Sequence, residues 1–134
     1  MKKLFLVLLI CTISSCRKDN INETPTVLDI EGKWMGFSNP SGVMYLFEDG
    51  TRYTYYCTAG DLEDCTSQFQ TFEAADGNHI PGTHPYTFED GTLTVDLNFG
   101  NELVAPLTFE CDGNKVFVDS ENPFYLYRLG SNCD

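Results

Sequence analysis

Six cysteines, two histidines and twenty carboxylates are the side chains in this sequence whose types could do chemistry. Cys57, Cys65, Cys111 and Cys133 are separated by seven, forty-five and twenty-one intervening residues. Four thiolates could hold zinc, but structural zinc sites draw on closely spaced Cys-x-x-Cys pairs, and this sequence has none. In an exported chain an even set of cysteines argues for disulfides, with three possible connectivities for four thiols. The expected pairing is Cys57–Cys65, which closes a local loop, and Cys111–Cys133, which pins the C-terminal tail. His79 and His84 lie in "DGNHIPGTHPY" with Asp76 nearby. No further strong ligand is placed by spacing, so this Gly- and Pro-rich stretch reads as a solvated loop. The paired carboxylates Glu48-Asp49 and Glu89-Asp90 fall at solvated hairpin tips, where nothing would raise a pKa for acid catalysis. Gly-x-Ser-x-Gly, His-Glu-x-x-His and glycine-rich phosphate loops are all missing. The reading is a non-enzyme, with no catalytic residue, metal or cofactor assigned.

The N-terminus gives an address. "MKKLFLVLLICTISSC" opens with Lys2 and Lys3, continues through an apolar run from Leu4 to Ile13, and ends in Ser14-Ser15-Cys16. That run is shorter than the roughly 20 residues a membrane-spanning helix needs. A charged start, a short apolar core and small residues mark a secretory signal peptide over 1–15. The final residues resemble the lipobox of bacterial lipoproteins, which implies cleavage before Cys16 and acylation of that residue. Stable anchoring generally takes two hydrophobic signals, and a lipoprotein carries them on one cysteine. "RKDNINETPTV" follows, polar and without hydrophobic period, and completes a lipidated linker segment over 16–27. Its Cys-Arg-Lys-Asp start resembles the surface-export signal of Bacteroidetes lipoproteins. The localisation implied is the bacterial cell envelope, at the outer membrane and facing the surface.

Losing the signal removes two lysines and no acid, which leaves six bases against twenty acids, a net charge of −14. A surface this negative argues against nucleic-acid binding, which relies on Lys and Arg neutralising phosphates. It also leaves the acyl group as the membrane contact.

The remaining segment, 28–134, suits one domain with one core. Its elements are strands. In "TLTVDLNF" Leu93, Val95, Leu97 and Phe99 alternate with polar residues, the period of a half-buried strand. Val43, Tyr45 and Phe47 alternate in the same way, as do Tyr53 and Tyr55. "FEDGT" occurs twice, at 47–51 and 88–92, and each time Asp-Gly separates two such runs. Asp-Gly is a strong hairpin signal, because glycine accepts positive φ at no steric cost. A third hairpin is expected at Asp112-Gly113. An EF-hand needs ligands at alternating positions and a glutamate at position twelve, which these turns do not offer. Strands are expected near 33–38, 43–48, 51–57, 67–73, 84–89, 92–98, 103–110, 115–119 and 124–129. Pro106 implies an edge or a bulge in the seventh. No segment has helical periodicity over three turns. Eight to nine short strands with tight turns give an all-β chain, either an antiparallel up-and-down β-barrel or a β-sandwich.

"Ile30-Glu31-Gly32-Lys33-Trp34" resembles the Gly-x-Trp opening of lipocalins. "Tyr45-Leu46-Phe47-Glu48-Asp49-Gly50-Thr51" is similar to a hairpin of the small bacterial lipocalin-like lipoproteins, and "Gly91-Thr92-Leu93-Thr94-Val95" and "Phe124-Tyr125-Leu126-Tyr127-Arg128" resemble that family's later strands. The likeness covers 30–129; the Thr-Asp-Tyr signature and C-terminal helix of lipocalins have no counterpart. It implies a lipocalin-like barrel whose base Trp34 closes, with Arg128 packed over the indole.

Trp34, Tyr45, Phe47, Tyr53 and Tyr55 are the candidate ligand-binding residues, read as sharing an interior face. Aromatic walls carrying a few hydroxyls suit a small apolar or amphipathic molecule, although an eight-stranded barrel can equally be filled by its own side chains. The alternative is a protein-interaction module for an envelope partner. It would act through the acidic face and the loop "TAGDLEDCTSQ", where Asp61, Glu63 and Asp64 sit beside the Cys57–Cys65 staple.

Overall fold

A computed structural model describes residues 28–133 of the chain. The expected signal peptide, Cys16 and the linker to residue 27 lie outside the described residues.

Eight antiparallel strands close into an up-and-down barrel in the order β1 to β8. They are β1 (Gly32–Gly36), β2 (Val43–Glu48), β3 (Thr51–Tyr56), β4 (His84–Glu89), β5 (Thr92–Asp96), β6 (Glu102–Glu110), β7 (Lys115–Val118) and β8 (Phe124–Arg128). β8 returns to β1, with Trp34 opposite Arg128, so each of these eight strands has a partner on both sides.

Both "FEDGT" repeats are two-residue hairpins. Glu48 faces Thr51 and Glu89 faces Thr92. The turn residues Asp49, Gly50, Asp90 and Gly91 all have positive φ, the geometry that matches the twist of the flanking strands. The third turn is longer: Glu110 faces Lys115, and Cys111, Asp112 and Gly113 form a short 3-10 turn. Pro106 is not at an edge. Up to Pro106, β6 pairs with β5; from Leu107 onward it pairs with β7. The imino acid therefore sits at the handover between partners, where a missing N–H breaks neither ladder.

Residues 67–73 were expected to form a strand and do not. They belong mostly to a helix, α1 (Leu62–Gln70). Asp61 caps it, its carboxylate accepting from the backbone N–H groups of Glu63 and Asp64. Cys65 and Phe69, four residues apart, form its buried face. Nine residues are too few for a three-turn periodicity test. The apolar pair is made of a disulfide cysteine and a phenylalanine, which the period-two reading had assigned to a loop and a strand.

The described residues form two apolar cores. One fills the barrel with Ile30, Trp34, Phe47, Leu93, Val95, Ala105, Val116, Val118 and Leu126. The other lies outside it, where α1 covers Met44, Leu46 and Tyr55 with Cys65 and Phe69. Both expected disulfides are present, Cys57–Cys65 and Cys111–Cys133. The first ties the end of β3 to α1. The second secures the C-terminal tail, which the Asn39 amide also holds by donating to the carbonyls of Ser131 and Cys133.

Candidate functional site

The two ends of the barrel are built differently. At the hairpin end the segment before β1 folds under the strands. Gly32 takes φ 109°, and a side chain there would meet the Arg128 Nη1 at 3.0 Å. That explains the glycine of Gly-x-Trp: the backbone turns under the barrel where a guanidinium already lies. The Trp34 indole is fully buried and donates to the Ile30 carbonyl at 2.6 Å. Arg128 lies 4.2 Å over its ring and donates to the carbonyls of Glu31 (3.1 Å) and Asp29 (3.3 Å). Tyr86 donates its hydroxyl to the Glu31 carboxylate, and this contact and burial raise its pKa, burial being the larger effect. Phe47 meets Tyr86 edge-to-face at 5.0 Å. This end is a plug in which Trp34, Arg128, Tyr86 and Glu31 are all engaged.

Tyr53 and Tyr55 are on the other side of the sheet. A two-residue hairpin at Asp49-Gly50 places Phe47 opposite Arg52, Tyr45 opposite Thr54, Leu46 opposite Tyr53 and Met44 opposite Tyr55. Cross-strand partners share a face. With Phe47 inside, Arg52 and Thr54 are inside as well, and the two tyrosines lie outside under α1. Tyr55 is fully buried there; its hydroxyl donates to the Glu73 carbonyl, and burial, then nearby carboxylates, push its pKa up to about 12. His79 rests on Tyr53 and Tyr55, with ring centroids at 5.2 and 6.1 Å. The expected five-residue aromatic face is thus divided by register. Trp34, Tyr45 and Phe47 point in; Tyr53 and Tyr55 support the helix.

His79 and His84 do not converge with Asp76. The Asp76 carboxylate accepts from the backbone of Glu73 and Asn78, and His84 Nδ1 contacts the Asp96 carbonyl at 2.8 Å. Among the described residues, no group of three or more His, Cys, Asp or Glu is arranged to hold a metal ion. In the acidic loop Asp61 is committed to the helix cap, and Glu63 and Asp64 occupy the first turn, where the helix dipole favours negative charge.

The opposite end exposes large apolar side chains. Seven large hydrophobic residues are exposed among the described residues, and six of them, Phe37, Tyr56, Leu62, Leu97, Phe99 and Val104, belong to this end. Phe37 and Phe99 carry positive φ, 72° and 56°. That conformation is a genuine outlier for a bulky side chain. Phe99 follows Asn98 and precedes Gly100, both also left-handed, in a turn closed by a bond from the Leu97 N–H to the Asn101 carbonyl. This turn ends β5 at Asp96, where alternation alone had carried the strand to residue 98. Phe37 packs on Phe124 (5.1 Å) and on the edge of Tyr45 (6.5 Å). Beside them Phe37, Leu97, Leu103, Val104 and Phe124, together with the polar Glu102, Ser120, Glu121 and Asn122, line a depression of about 590 Å³.

Inside the barrel the Arg52 guanidinium lies 5.1 Å over the ring of Tyr45, the residue whose edge Phe37 meets. Sequence reasoning missed Arg52, Phe37 and Phe99. A signal for Arg52 was present: the two-residue Asp-Gly loop fixes it opposite Phe47. The exposure of Phe37 and Phe99 has no local signature, since both occupy positions that alternation reads as strand. Comparisons with protein-family models, with curated proteins and with solved structures find no match to this chain.

Proposed function

We propose that this chain is a lipid-anchored protein of the bacterial cell envelope, acylated at Cys16, that binds a small amphipathic molecule without catalysis. The binding site is the open mouth of a lipocalin-like barrel. The observation carrying the reading is the pair Phe37 and Phe99. Each holds a bulky side chain in a left-handed backbone conformation, which costs on the order of 1 kcal/mol or more, and then presents its ring to water. The Phe99 ring is fully exposed, and the Phe37 ring stays more than half exposed although it packs on Phe124. Both make sense if the rings cover a ligand seated above Tyr45. Trp34 and Phe47, filling the lower barrel, form the floor. Tyr53 and Tyr55 have no part in the site.

The reading is tested by native mass spectrometry on residues 17–134, exported to an oxidising compartment of a bacterium and purified without detergent. A reproducible added mass is expected, lost when Phe37 and Phe99 are replaced by serine and retained in Tyr53→Phe. An added mass that survives the double replacement refutes the site. A protein partner recovered on the same rim, with no small-molecule adduct, would favour an interaction module instead, because a fully exposed phenylalanine is also a common anchor for a partner surface.

A further inference from the structure

The described residues contain four cations, and three have oxygen partners. Lys33 reaches Glu73 at 3.4 Å and the Gln70 carbonyl, Lys115 reaches Glu110 at 4.0 Å, and Arg128 is held by backbone carbonyls. Arg52 is the exception. Its side chain is partly buried inside the barrel, its Nε is enclosed without a hydrogen-bond partner among the described residues, and its guanidinium lies over the Tyr45 ring. Seventeen carboxylates occur between residues 28 and 133, and none pairs with it. A chain this acidic could neutralise an interior arginine easily. Leaving a guanidinium desolvated and unpaired is costly, and burial lowers its pKa, with the Tyr45 side chain opposing. Among the described residues the Tyr45 hydroxyl makes no hydrogen bond either, and it belongs to the ring that Arg52 covers.

We infer that the mouth ligand is an amphipathic monocarboxylate, whose head group is held by Arg52 and the Tyr45 hydroxyl and whose tail lies under Phe37, Leu97, Phe99 and Phe124. The inference rests on the mouth reading above and names its ligand class. A planar guanidinium matches a carboxylate in a two-bond fork. A single cation matches a single negative charge. A phosphate dianion would need a second cation, and the other three cations of the described residues already have oxygen partners. Glu102 and Glu121 line the depression and would repel a carboxylate placed there, so the head group is assigned to Arg52 and only the tail to the depression.

Three probes of equal length separate charge from tail: decanoate, decanol and decylamine, below their micelle concentrations. All strands, both disulfides and both cores lie within 28–133, so the soluble 17–134 chain contains every contact described. Binding is followed by calorimetry and by backbone amide shifts in two-dimensional NMR. Decanoate is expected to bind at least tenfold more tightly than decanol and to exclude decylamine, with shifts confined to residues around Phe37, Tyr45, Arg52 and Phe124. Arg52→Gln should bring decanoate down to the decanol level, and Arg52→Lys should restore part of the difference. Equal binding of decanoate and decanol in the unmodified protein overturns the carboxylate inference and leaves the apolar mouth standing; that comparison needs no variant to fold. Failure of all three probes to bind overturns the mouth reading with it.

Discussion

Replacing Phe69 by alanine tests the element that the alternation pattern concealed. Phe69 is fully buried on the inner face of α1, among Met44, Leu46, Tyr55 and Cys65, with its ring centroid 6.1 Å from that of Phe72. Truncating a phenylalanine in such a site loses its transfer free energy and leaves a cavity the neighbours only partly fill, about 3–5 kcal/mol together. The Cys57–Cys65 bond keeps the start of α1 on the sheet, so collapse into the gap is restricted and the upper half of that range applies. A domain of this size has a total stability of about 5–15 kcal/mol, so the variant keeps a modest margin. At a urea slope of about 1.5 kcal/mol per molar, a loss of about 4–5 kcal/mol lowers the unfolding midpoint by about 3 M. The single tryptophan reports the transition. Trp34 lies inside the barrel, across the sheet from Phe69, so its native emission should stay unchanged while the midpoint moves. A loss under about 1 kcal/mol, or a shift of native Trp34 emission, would refute the packing of α1 on the outer face of β2 and β3.

Two further outcomes follow from the tyrosines and the plug. Tyr55 titrates near 12 in the folded chain against about 10 when unfolded, so its contribution, about 2 kcal/mol after allowance for solvent screening, is complete below pH 10 and lost as pH rises toward 12. Urea midpoints between pH 8 and 12 should be flat and then fall, with a smaller fall in Tyr55→Phe; an unchanged fall in that variant places the effect elsewhere. Arg128→Leu should cost about 2 kcal/mol and alter Trp34 emission, since it removes the stacked cation and its bonds to Glu31 and Asp29. Arg128→Lys should recover only part of this, because a point charge cannot span both carbonyls; full recovery would mean that charge alone holds the plug.

Local chemistry settled much of this protein without any tertiary information. Asp49-Gly50 and Asp90-Gly91 form tight hairpins because two adjacent residues must take positive φ, a property of the dipeptide itself. Period-two runs such as Leu93 and Val95 form strands because one face must be buried, and short strands with tight turns leave few architectures. The disulfide pairing followed from loop length and from the position of the tail. Packing decided the rest. Alternation identifies two faces but does not say which is inside when both carry apolar residues, as in β2 and β3; there the barrel took Tyr45 and Phe47, and α1 took Met44, Leu46, Tyr53 and Tyr55. Residues 62–70 are helical because Asp61 caps them and the sheet offers Cys65 and Phe69 a surface, a condition no window of nine residues contains. The mouth is likewise a tertiary object. Phe37, Arg52 and Phe99 come from three separate connections and strands, and only closure of the eighth strand onto the first sets them around one opening.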